Sequence, residues 1–242
     1  CIFLETSNSS DKKRNETILS DVVWRTSSSM SKLFREALWP TPIYTQEFPD
    51  SKNLNKQLFK LIKAWSKKEP SMEKTNSGGG WHSPTDMNFK EEYKFFTPHL
   101  FQMVEKIFID YGLEPKIGLG NMWANINPPH AYNKHHIHPN SDWSGAYYVQ
   151  VPKDSGNLWI EDPRPGANIQ LPRRIKNLSR PLWRVIKIPA VEGQCIMFPA
   201  WVPHGVEENN TKAKGDKSLR VSISFNFIQT PNDQTDLHKT SN

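Results

Sequence analysis

The chain has 242 residues and a formal net charge of +6. It contains no apolar run approaching the ~20 residues of a membrane-spanning helix, so the sequence predicts a soluble protein without a membrane partner. Nineteen prolines and nine tryptophans against twelve glycines argue for many short strands and turns and against a helical bundle. Two cysteines, Cys1 and Cys195, make no disulfide framework, which fits a reducing, cytoplasmic compartment. Cys1 to Leu4 is too short for the apolar part of a secretory signal. A first residue other than Met leaves room for a longer chain upstream.

The basic excess comes partly from Arg173, Arg174, Lys176, Arg180, Arg184 and Lys187, and partly from Lys212, Lys214 and Lys217. It allows an anionic substrate, cosubstrate or nucleic acid, although a solvated basic face is its ordinary source. No nucleic-acid-binding motif accompanies it.

In chain order, residues 1–36 are polar, serine-rich and without periodicity, and are expected to be disordered or a linker. A domain is expected over 37–230 and a loose tail over 231–242. The segment 38–44 reads as a short edge strand, kept off a central position by Pro40 and Pro42. Leu54, Leu58, Phe59, Ile62 and Trp65 recur at helical spacing. Thr97-Pro98 reads as an N-cap with Pro at N1 of a second helix. Leu100, Val104, Ile107, Phe108 and Tyr111 form its buried face, and Gly112 ends it. Both helices are expected to buttress a sheet.

Beyond Ile117, strand-like pieces alternate with Pro, Gly and Asn turns. The candidates are 120–127, 145–151, 158–161, 183–188, 194–198 and 219–228. Six short strands at this spacing predict a sandwich or barrel.

Three features carry chemistry. His135-His136-Ile137-His138 precedes a strand, and in extended backbone His136 and His138 share a side while His135 faces away. Phe198-Pro199-Ala200-Trp201-Val202-Pro203-His204-Gly205 ends a strand in a double-proline turn that delivers His204. From Leu219 to Phe227 the alternation is clean, with Arg220, Ser222, Ser224 and Asn226 on the polar side. An arginine there can hold a carboxylate bidentately, with a neighbouring hydroxyl as third donor. The turn-forming residues between His204 and Arg220 (Asn209, Asn210, Gly215, Asp216) predict paired strands that return Arg220 beside His204.

These stretches, with Gly79-Gly80-Trp81-His82-Ser83, Met122-Trp123-Ala124-Asn125 and Ser144-Gly145-Ala146-Tyr147-Tyr148, resemble the 2-oxoglutarate/Fe(II) oxygenases related to the prolyl 4-hydroxylase superfamily, a group with marine bacterial and phage members. The resemblance spans roughly 37–229. It implies a mainly β double-stranded β-helix, or jelly roll, with supporting α-helices. It also implies Fe(II) as cofactor and 2-oxoglutarate as small-molecule cosubstrate, in the host cytoplasm for a phage-encoded member.

The superfamily's metal set is two histidines and one carboxylate. Here His138 or Asn140 stands where the acid belongs, and Asp142 is at the wrong spacing. Three sites are open: His136, His138 and His204; two histidines completed by water; or ligation by Asp142. The first is preferred. Arg220 and Ser222 are then expected to bind the far carboxylate of 2-oxoglutarate, with Tyr148, Trp123 and Asn125 lining the pocket. The implied reaction is a hydroxylation that releases succinate and CO2, on a peptide side chain, a nucleotide or a metabolite. The competing readings are a non-catalytic metal- or ligand-binding jelly roll and a three-histidine cupin-type dioxygenase that uses no 2-oxoglutarate.

Overall fold

A computed structural model describes residues 22–26, 29–34, 36, 38–72, 77–114, 116–169, 176 and 179–229. The chain divides into two compact units, Cys1–Thr41 and Pro42–Asn242. In the first, β1 (Val22–Thr26) and β2 (Ser29–Leu33) pair as an antiparallel ribbon, within the stretch expected to lack order. Residues 1–21, Arg173 and Arg174, and the expected tail from 231 lie outside the described residues.

The second unit is a jelly roll of two antiparallel sheets. Its strands are β3 (Tyr44–Glu47), β4 (Ser77–Gly78), β5 (Trp81–His82), β6 (Ile117–Asn127), β7 (Tyr132–His136), β8 (Trp143–Gln150), β9 (Leu158–Glu161), β10 (Val185–Ile188), β11 (Gln194–Pro199), β12 (His204–Val206) and β13 (Arg220–Gln229). One sheet runs β10-β9-β12-β7-β4, the other β3-β11-β8-β13-β6-β5. All six expected strands are present, 158–161 with the ends expected and the other five with shifted ends. Trp183 falls outside its strand because 180–182 forms a 3₁₀ turn. The edge strand begins at Tyr44, not Leu38, since Pro40 and Pro42 have no N–H to give a ladder. β7 and β12 were not legible: β7 is polar throughout, and β12 has three residues.

The alternation in β13 decides which sheet face is dry. Val221, Ile223, Phe225 and Phe227 are fully buried in one cluster with Leu58 and Ile62 of α1 (Ser51–Ser66) and Leu100, Val104 and Phe108 of α2 (Thr97–Asp110). Tyr147 adds a buried bond from its hydroxyl to Asn55 Oδ1 of α1, 2.7 Å. The helices therefore support the outer face of the six-stranded sheet, as their periodicity predicts. A second cluster, including Tyr148, Leu158, Ile160, Ile196 and Phe198, fills part of the space between the sheets.

Two helix-end details differ from expectation. Phe96 occupies the N-cap of α2, and the Thr97 hydroxyl donates back to Lys94 O. Tyr111 lies past the helix and is half exposed. The C-terminal stop is as read: Gly112 has φ 75°, and the bonds Gly112 N to Ile109 O and Leu113 N to Phe108 O close a Schellman motif.

Cys195 is free and fully buried, which pushes its thiol up. Among the described residues no helix is long and apolar enough to cross a membrane.

Gly145 of β8 sits directly on Phe225, where an added Cβ would lie 2.6 Å from the ring. Close packing of this kind makes removal of the ring costly. Phe225→Ala should destabilise the protein by ~3–5 kcal/mol in urea unfolding; a loss below ~1 kcal/mol would place the ring outside the core that carries the sheet.

Candidate metal centre

His136 ends β7 and His204 begins β12, and the two are register partners in the antiparallel pair. Directly opposed residues in such a pair project from the same face with Cβ atoms ~4.5–5.5 Å apart. Between His204 and Val206 the register shifts, because β7 carries one extra residue; Val206 is then opposite Asn133. Asn133 and His136, three apart, thereby face one cavity.

His138 follows the end of β7. Its backbone N donates to Ala200 O, 3.0 Å, in the turn that precedes His204. One atom from each of His136, His138 and His204 lies within 4.8 Å of the others. His135 turns away, as expected, and stacks on Trp159 at 5.3 Å.

The ring hydrogen bonds fix what these imidazoles present. His136 Nδ1 is 2.6 Å from Lys134 O and His204 Nδ1 is 2.8 Å from Val202 O. A carbonyl only accepts, so each Nδ1 carries the proton and each Nε2 offers a lone pair. His204 Nε2 lies 3.3 Å from His138 Nε2. Ligands ~2.0–2.1 Å from a metal ion stand roughly 2.8–3.4 Å apart between octahedral and tetrahedral angles, so this pair fits one cation.

Burial lowers all three pKa values, His138 to about 4 and His204 to about 3, with His136 adding repulsion to both. The rings are therefore neutral donors at pH 7. Gly205 follows His204 so closely under the Trp159 ring that a Cβ would come within 2.5 Å of it.

The same cavity, about 70 Å³, is lined by Tyr148, Arg220, Ser222, Trp123 and Asn125, all read from sequence. Asp142 is not among the lining residues. Its carboxylate accepts from Gln229 N at 2.6 Å and closes the end of β13, which removes it as the third ligand and as a pocket residue. Among the described residues, no Asp or Glu lines the cavity.

His204 and Arg220 do not lie on paired strands: β12 and β13 belong to different sheets. The connection between them folds onto the β6–β7 turn, where Asn209 Nδ2 donates to Asn127 O and Ser218 O and the Asn209 backbone bonds His130 and Ala131. Arg220 thus faces the histidines from the opposite sheet.

Arg220 is 2% exposed. One guanidinium nitrogen donates to Ser155 O and to Glu207 O, the latter at 3.0 Å. The other, Nη2, is buried without a partner among the described residues. Burial lowers its pKa to about 10, which leaves it charged at neutral pH. Glu207 does not neutralise it directly; its carboxylate is taken by Lys187 and by Asn157.

Sequence reasoning did not assign His82, Asn133 or Ser224 to the cavity, which all three line. The Gly79–Ser83 stretch held the signal for His82. Asn133 was hidden by the bulge.

Because unfolded histidine titrates near 6.5 and these folded groups titrate lower, the unfolded chain binds more protons between those values. The metal-free protein should keep its full stability above about pH 6.5 and lose it progressively toward pH 4. Thermal melts from pH 7.5 to 4.5 would check this, with the His138→Asn, His204→Asn double variant expected to flatten the fall; equal slopes would place the acid sensitivity elsewhere.

Residues 121–226 match the family model described as "Putative 2OG-Fe(II) oxygenase". No match is found among curated proteins. A prolyl-4-hydroxylase from Pseudomonas putida shares 16% identity with a TM-score of 0.54, covering 79% of this chain and 94% of its own. The α-ketoglutarate-dependent carbocyclase SnoK of nogalamycin biosynthesis shares 10% identity with a TM-score of 0.55, covering 78% and 80%. The epimerase SnoN, solved with Fe3+ and α-ketoglutarate, shares 13% identity with a TM-score of 0.53, covering 78% and 79%. The solved structures match the jelly roll, and the stretch that matches the family model contains His136, His138, His204 and Arg220.

Proposed function

We propose that the enzyme uses O2 and 2-oxoglutarate to hydroxylate a C–H bond of a peptide side chain or small metabolite, one oxygen atom entering the product and the other entering succinate, with release of CO2. His136, His138 and His204 hold the iron, His138 standing in the place of the family's carboxylate. Arg220 anchors the far carboxylate of the cosubstrate, with Ser222 and Tyr148 beside it. Iron in this site supplies the oxidative chemistry that couples decarboxylation to hydroxylation.

The observation that carries the reading is Arg220. Among the described residues, this buried guanidinium has one nitrogen unpartnered and no acid lining its cavity, so the two carbonyls on its other nitrogen offset only part of its desolvation cost. A dicarboxylate spanning from the histidines to Arg220 supplies the missing partner through a charge-assisted bond. Tyr148 is 2% exposed, and its phenol is raised to about 12 by burial, so it stays protonated as a donor for the same carboxylate. Ser222 pairs with Tyr148 across β13 and β8 and brings its hydroxyl to the same place. The three neutral imidazoles orient the iron. The apolar residues between the sheets, such as Phe198 and Leu158, exclude water from that side.

Loss of one partner from a buried charged pair costs ~3–5 kcal/mol, and ~1.4 kcal/mol is a factor of ten. Arg220→Ala should therefore weaken 2-oxoglutarate binding at least a hundredfold in calorimetry while the iron affinity holds. Arg220→Lys should recover only part of the loss, since an ammonium lacks the planar fork. Wild-type 2-oxoglutarate affinity retained to within a few-fold in Arg220→Ala would show that the arginine serves the strand. His204→Ala should lower iron affinity by orders of magnitude, and unchanged metal binding in that variant would remove His204 from the centre.

A further inference from the structure

Four cavity-lining residues form one cross-strand row on the six-stranded sheet. Tyr148 of β8 is opposite Ser222 of β13, Ser222 is opposite Asn125 of β6, and Asn125 is opposite His82 of β5. Residues opposed in an antiparallel ladder share a face, so the row is continuous. Its inner end, Tyr148 and Ser222, belongs to the proposed cosubstrate site. Its outer end lies on β5, the edge strand of the sheet.

The outer half has its own chemistry. His82 Nδ1 is 2.6 Å from Ser83 O and therefore carries the ring proton, which leaves Nε2 as an acceptor. The ring stacks on Trp123 at 5.6 Å, and Trp123 in turn lies 5.9 Å from the His138 ring. Asn125 is 3% exposed. Its amide nitrogen donates to Ser224 Oγ, 3.1 Å, and its Oδ1 is buried without a partner among the described residues. A buried acceptor left unpaired is costly, and the cost is relieved when a donor arrives.

We infer that His82 and Asn125 are the specificity-determining contacts for the primary substrate, and that they select a neutral group bearing an N–H or O–H donor, such as an amide. This rests on the oxygenase reading of the inner site. Two acceptors side by side exclude a carboxylate or carbonyl presented at this point. Arg220 and a bound metal ion already place positive charge in the cavity, which disfavours an ammonium group. Trp123 stacked on His82 holds the acceptor one ring away from His138, so the donor is gripped next to the bond that reacts.

The test uses the full chain loaded with zinc in iron's place and 2-oxoglutarate, with two small probes that differ by one methyl. N-Methylacetamide has an N–H; N,N-dimethylacetamide has none. Each is titrated while the 15N resonance of His82 Nε2 is followed by NMR. N-Methylacetamide should bind at least roughly tenfold more tightly and shift that resonance, since a site built around acceptors rejects the analogue lacking a donor. His82→Phe keeps an aromatic ring on Trp123 and should abolish the preference, whereas His82→Gln, which retains an acceptor, should keep much of it. Equal affinity for the two amides, no binding of either, or a preference that survives His82→Phe would overturn the inference. Failure of the wild-type protein to bind 2-oxoglutarate in the same samples would instead overturn the site reading beneath it.

Discussion

The antiparallel pairing of β7 with β12 is the constraint on which the centre depends. It sets His204 opposite His136, and the bond from His138 N to Ala200 O draws the third imidazole to the same point. A slip of one residue would turn His204 to the outside and Gly205 inward. Gly205 accepts only this register, because its missing Cβ makes room for the Trp159 ring. The double-proline turn fixes where β12 begins, and the bulge in β7 absorbs the residue that would otherwise put Asn133 and His136 on opposite faces. Local backbone geometry thus does the positioning.

The electrostatics of the cavity follow from what the two sheets bring to it. The five-stranded sheet and the turn beyond β7 contribute neutral nitrogen donors, kept neutral by burial. The six-stranded sheet contributes a buried cation and a row of hydroxyl, amide and imidazole groups. Among the described residues neither contributes an acid to the cavity. In the proposed arrangement metal and arginine would add positive charge to the same space, and an anionic cosubstrate would reconcile them. This differs from a site with a carboxylate ligand, where part of the metal charge is already balanced by the protein.

Much of this was legible in the sequence because it rests on periodicity. The two-residue alternation in β13 separates Arg220 and Ser222 from Val221 and Ile223, and the structure has them on opposite faces. Helical spacing marked both supporting helices. The histidine positions stood out by clustering and by the rigid turn before His204. What failed was long-range pairing. Asn209 and its neighbours read as a hairpin turn, but Asn209 spends its hydrogen bonds on the β6–β7 turn and the chain crosses to the other sheet. Asp142 was a candidate on chemistry alone, and its carboxylate is occupied by Gln229 N. His82 and Asn133 depend on an edge pairing and a bulge, and neither leaves a periodic trace.

The assignment of the centre to both sheets has a mechanical side. The histidines hang from the β7–β12 pair inside one sheet and from the turn beyond β7, and Arg220 from the middle of the other sheet. Between the layers there is partly apolar packing, which resists compression more than it resists sliding. A five-carbon dicarboxylate held at both ends would act as a tie, limiting the spacing and lateral offset of the two layers. In the proposed arrangement each turnover shortens that tie by one carbon as CO2 leaves, so the two sheets would no longer be linked through it when the product is formed.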